Sequence, residues 1–138
     1  MARQDHREEA TRVGLQDVAI HPGIAVSDMT RATEFYEGKL GLLGGEETED
    51  GGKTNRCGHG TTLHIFPSRY IARSEATRAG WEAGDRFEEL IDALTSNGLV
   101  FEQYEEPKTD ERGVVTFGEV KVAYFRDPDG NTFGLTNQ

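Results

Sequence analysis

Two histidines are placed where side chains could do chemistry. His21 opens the segment His21-Pro22-Gly23-Ile24-Ala25-Val26, and His64 lies within Thr61-Thr62-Leu63-His64-Ile65-Phe66-Pro67. In each segment the apolar side chains share one parity, Ile20, Ile24 and Val26 in the first and Leu63 and Ile65 in the second. That is the pattern of a strand with one buried face. Both histidines fall on the opposite parity. Two neutral imidazoles so placed could ligate a divalent transition metal, or line a cleft as a general base and hydrogen-bonding group. They could equally be half-buried histidines with backbone or water partners. His59, between Gly58 and Gly60, reads as a turn residue, and His6 lies in the charged N-terminal arm.

Other reactive residue types carry less chemistry. Cys57 has no basic neighbour except Arg56 and reads as a strand or turn cysteine rather than an activated thiol. Glu46, Glu47, Glu49 and Asp50 sit among glycines without the spacing of a calcium loop, so this run reads as a short strand entering a solvated acidic turn. Asp127-Pro128-Asp129-Gly130-Asn131 is a structural turn: proline presets one backbone angle, glycine accepts a positive one, and the acids cap amides. On the following strand Thr132, Gly134 and Thr136 share a parity, and their small side chains leave space for a pocket opposite His21, Gly23 and Ala25. Phe66, Trp81, Phe101 and Tyr104 are the aromatic side chains available to wall it.

The elements that position these residues come in two similar sets. Strand Ile20 to Val26 is followed by Ser27 and Asp28 as helix-start residues. Met29, Ala32, Phe35, Tyr36 and Leu40 then recur at helical spacing, and Gly41 stops the helix. Short strands are expected at Lys53 to Cys57 and Thr61 to Pro67, and Arg69 to Gly80 reads as a polar linker. The plan then repeats. A strand around Trp81 leads to Asp85, with Glu88 completing a capping box, and Phe87, Leu90, Ile91 and Leu94 form a helical stripe closed by Gly98. Strands are expected at Leu99 to Tyr104, Val120 to Arg126 and Thr132 to Thr136, with Val114 to Phe117 pairing locally. The expected fold is α+β, two βαβββ modules (about 17–68 and 79–138) forming a curved, mostly antiparallel sheet with helices on its outer face. A flexible charged arm would precede them over residues 1–16.

These pieces, His21 to Asp28, Phe35-Tyr36, Leu40-Gly41-Leu42 and Phe125 to Asn131, resemble in order and spacing the vicinal oxygen chelate superfamily. This is the group of glyoxalases, extradiol dioxygenases and bleomycin-resistance proteins. The resemblance implies paired half-barrel modules, a small-molecule ligand and a homodimer. It also implies that His21 and His64 occupy two of four metal-ligand positions. The other two depart from the pattern. Arg78 to Trp81 stand where a histidine is wanted, and Gly134 replaces the usual glutamate. A catalytic metal needs about three protein ligands. The expected function is therefore binding of a small organic ligand without a complete metal site, by His21, His64, Phe66, Trp81, Tyr104 and Thr132. The alternative is a metal-dependent lyase or dioxygenase with a divalent metal on His21 and His64.

Size and charge narrow the partners. One domain accommodates all 138 residues, and the net charge of -10 repels nucleic acid and anionic membrane surfaces. No stretch reaches the roughly 20 apolar residues of a membrane span. A single cysteine excludes an intrachain disulfide and fits the cytoplasm.

Overall fold

The computed structural model describes residues 14–17, 19–71 and 76–138. Most of the charged arm and the middle of the 69–80 linker lie outside these residues. Strand β1 (Gly23–Val26) pairs in parallel with β4 (Thr62–Pro67), which runs antiparallel to β3 (Lys53–Arg56); short β2 (Glu46–Glu47) lies on the far side of β3. The second module repeats the order. β5 (Thr77–Glu82) is parallel to β8 (Thr132–Thr136), followed across the sheet by β7 (Val120–Arg126) and β6 (Val114–Phe117). The result is two four-stranded mixed sheets with a helix in each module, an α+β fold.

Helix α1 begins at Met29, where the Asp28 carboxylate accepts from the Thr30 and Arg31 amides at 2.9 and 3.3 Å. It is α-helical over Met29–Thr33 and widens to π-helix over Glu34–Lys39, so that the Leu40 amide reaches the Phe35 carbonyl. Gly41, at φ +74°, then ends it. Helix α2 (Phe87–Ser96) starts later than its sequence suggests. A 3-10 turn occupies Gly84–Arg86, and no side chain caps the helix. Glu88 turns away from the helix end because Arg112 and Lys121 take its carboxylate at 2.6 and 3.2 Å. The expected strand at Leu99 to Tyr104 is also absent. β6 covers the edge of β7 as far as Ala123, which leaves one backbone bond there, from the Glu102 amide to the Tyr124 carbonyl. Leu99 and Phe101 are nevertheless buried.

One apolar cluster runs through both modules. Ile24, Val26, Leu63 and Ile65 share it with Phe35 and Tyr36, whose rings meet Phe125 and Phe133 of the second module at 6.4 and 6.0 Å between centroids. A polar joint reinforces it. Asp127 accepts from the Tyr36 hydroxyl at 2.6 Å and from the Asn131 side chain at 2.8 Å, and Asn131 in turn donates to the Ala25 carbonyl at 3.0 Å. Asp129 accepts from the Ser27 amide and hydroxyl at 2.9 and 2.6 Å, and Arg31 donates to the Pro128 carbonyl at 3.2 Å. The turn after β7 is thus fastened to the start of α1.

Glu37 anchors the other end of α1. Its carboxylate accepts from the Gly45 amide, Asn55 and Lys53 at 3.1, 3.2 and 3.5 Å. Burial pushes this carboxyl upward, but those hydrogen bonds outweigh it and hold the group below the usual carboxylate range. Glu37→Gln is expected to cost about 1 kcal/mol at neutral pH. A lowered carboxyl stabilises above its unfolded pKa and ceases to do so as pH falls through its folded one, so the difference from wild type should close in acid. Urea unfolding at neutral and acidic pH checks both points.

Candidate functional site

The site grows from the open face of the first sheet. Registry places Gly23, His64, Thr54 and Glu46 side by side across β1, β4, β3 and β2 on the face opposite buried Ile24 and Ile65. The His64 ring stacks on Phe66 with centroids 5.5 Å apart and meets His21 edge-on at 6.1 Å. Its Nε2 lies 2.7 Å from Asp50 Oδ2.

Asp50 comes from the turn joining β2 and β3, and this role is not contained in the sequence pattern of a short strand entering a solvated acidic turn. The Thr48 hydroxyl and the Gly52 amide both donate to its Oδ1. Together with His64 they draw its pKa down to about 2, so it is ionised at neutral and mildly acidic pH. An ionised carboxylate accepts, so Nε2 of a neutral His64 donates and Nδ1 keeps the lone pair. Gly52 permits the approach. A Cβ there would stand 2.1 Å from the Ile65 carbonyl oxygen, so only glycine lets the turn lie against β4. The Gly51-Gly52 pair directly after Asp50 was the available sequence signal.

Beside His21 is a cleft of about 380 Å³, lined by His21, Pro22, Cys57 and Thr62 from the first module and Arg78 and Trp81 from the second. It therefore lies between the modules. Trp81 also packs against Phe125 and Phe133, at 6.0 and 5.5 Å between centroids. Phe66 supports His64. Thr132 is buried in β8 opposite Arg126. The structure does not bring Tyr104 to this cleft: it packs edge-on against Tyr124 and lines a separate depression with Gln103 and Lys108.

The donor set does not fit a catalytic metal. His21 and His64 supply two imidazoles, and Nε2 of His64 is already engaged by Asp50. Gly134 offers no donor and packs beneath the Tyr124 ring, where a Cβ would stand 3.5 Å from it. Arg78 brings a cation to the remaining position. Among the described residues, no group of three or more histidine, cysteine, aspartate or glutamate side chains is gathered to hold a metal. What the arrangement offers instead is an oriented imidazole, able to accept a hydrogen bond or a proton at Nδ1, beside a mixed polar and apolar cleft.

The model for the Glyoxalase/Bleomycin resistance protein/Dioxygenase superfamily matches residues 18–135. The chain belongs to this superfamily. Solved structures agree on the fold. A glyoxalase/bleomycin resistance protein/dioxygenase from Alicyclobacillus acidocaldarius is 21% identical with a TM-score of 0.68, covering 91% of this chain and 93% of its own. The fosfomycin resistance protein FosX from Mesorhizobium loti is 20% identical with a TM-score of 0.62, covering 88% and 92%. The oxidase ChaP-H2 is 18% identical with a TM-score of 0.67, covering 89% and 95%. No curated protein matches the chain. In this superfamily member no described helix is long and apolar enough to cross a membrane.

Proposed function

We propose that this superfamily member binds a small organic ligand in the cleft between its modules, with His21 and His64 as polar contacts and without a catalytic metal. The observation that carries this reading is His21, which lines the cleft and meets edge-on the His64 imidazole that Asp50 and Phe66 hold behind it. Arg78 and Trp81 on the facing module suit a ligand with both a polar and an aromatic or alkyl part. The reading takes residues 17–138 as the functional unit, working as a homodimer, as the sequence resemblance implies for small members, and in the cytoplasm, which the single cysteine suits.

A second reading, a metal-dependent lyase or dioxygenase, draws on the same two imidazoles, whose ring centroids lie 6.1 Å apart. A thermal-shift screen of small organic molecules and divalent metals separates the two. A ligand present at 100 times its Kd stabilises the native state by about 2.7 kcal/mol. His21→Ala and His64→Ala should each reduce the ligand-induced shift to less than about half. Unchanged shifts in both variants would remove the histidines from the pocket. A stoichiometric divalent metal held by both, in protein purified without added metal, would favour the second reading.

A further inference from the structure

A second space lies on the other side of Trp81. It is a partly open recess of about 120 Å³, lined by apolar side chains from three directions: Leu40 and Leu42 beyond the end of α1, Leu90 and Leu94 on α2, and Trp81, Phe125 and Leu135 on the second sheet. Leu94, Phe125 and Leu135 are buried and form its floor, while Leu40, Leu42, Trp81 and Leu90 are half-buried and form its rim. Close-packed interiors hold few voids larger than a water molecule. A water needs two to four polar partners, which these walls do not offer, and an apolar cavity of roughly 150 Å³ stays dry and accepts benzene or xenon.

We propose that this recess is a ligand site in its own right, taking a benzene-sized ring or a short branched alkyl group. Trp81 lines both the recess and the histidine cleft, so the two spaces share a wall while their other lining side chains differ. The recess lacks donors and acceptors for a polar molecule, so its selectivity is for size and apolar shape. It goes beyond the cleft reading and does not depend on His21 or His64.

Trp81 is the only tryptophan in the chain, so its fluorescence reports on this wall without interference. Titration of the wild-type protein with benzene should give a saturable change in Trp81 emission and a rise in Tm. Leu90→Phe and Leu42→Phe each add volume from half-buried positions on different walls, and should weaken benzene binding at least about tenfold. Either one suffices if the other fails to fold. His21→Ala should leave benzene binding within about twofold of wild type. The proposal is overturned by the absence of a saturable response in wild type, or by binding that survives in the filled variants. A tenfold loss in His21→Ala would also overturn it, by assigning benzene to the cleft.

Discussion

Asp127→Ala is expected to lower the unfolding free energy by about 3 kcal/mol. The carboxylate is 4% exposed and accepts from four donors: the Tyr36 hydroxyl, the Asn131 side chain, and the Asp129 and Asn131 amides, at 2.6, 2.8, 3.0 and 2.8 Å. Burial, reinforced by Asp127, pushes the Tyr36 phenol upward, so this hydroxyl stays protonated and donates. Removing the shared acceptor leaves donors on both modules without it, and a buried unsatisfied donor costs about 1 to 3 kcal/mol. Tyr36→Phe removes only one of the four bonds and should cost about 1 kcal/mol. Urea unfolding of the two variants checks the order. Equal losses, or a loss for Asp127→Ala below that for Tyr36→Phe, would mean that Asp127 is not the hub of the joint.

Gly52→Ala should cost about 2 to 3 kcal/mol through overpacking. The added Cβ meets the Ile65 carbonyl oxygen at 2.1 Å and the Phe66 Cα at 2.8 Å. Both are backbone atoms of β4, so neither can rotate away as a side chain would. The β2–β3 turn must lift, and Asp50 leaves His64 with it. Gly44 supplies the control, since a Cβ there meets nothing within 4 Å. Gly44→Ala should stay within about 0.5 kcal/mol of wild type. Chemical unfolding reads the stability, and the His64 ring resonances should move in Gly52→Ala and stay in Gly44→Ala. A stable Gly52→Ala protein with unmoved His64 resonances would contradict the close approach of this turn.

The strands that carry the site were legible because their burial alternates. Ile24 and Val26, and Leu63 and Ile65, face the core, which leaves His64 on the open side. The turn at Asp127 to Asn131 was legible as a turn, since its proline and glycine act locally. What it fastens was not, because Ser27 and Tyr36 are distant in the chain. Leu99 to Tyr104 misled for a related reason: two buried apolar residues alternate as in a strand, but pairing depends on whether the neighbouring edge is free, and β6 had covered it. Glu88 has the spacing of a capping box and loses it to two cations, Arg112 from the turn before β6 and Lys121 on β7. Asp50 was hidden among acids that look alike in sequence. Only the course of the hairpin distinguishes it from Glu46, Glu47 and Glu49.

The joint between the modules also bears on how long the native state lasts. Its bonds link residues 91 and 102 positions apart, Tyr36 to Asp127 and Ser27 to Asp129. Contacts that close so much chain form late, after the more local pairings within each module. A contact absent from the folding transition state does little for the rate of folding and much against the rate of unfolding. Loosening the turn after β7 is therefore expected to speed unfolding more than it slows folding, and so to shorten the time for which the cleft between the modules exists; stopped-flow unfolding of Asp127→Ala checks this.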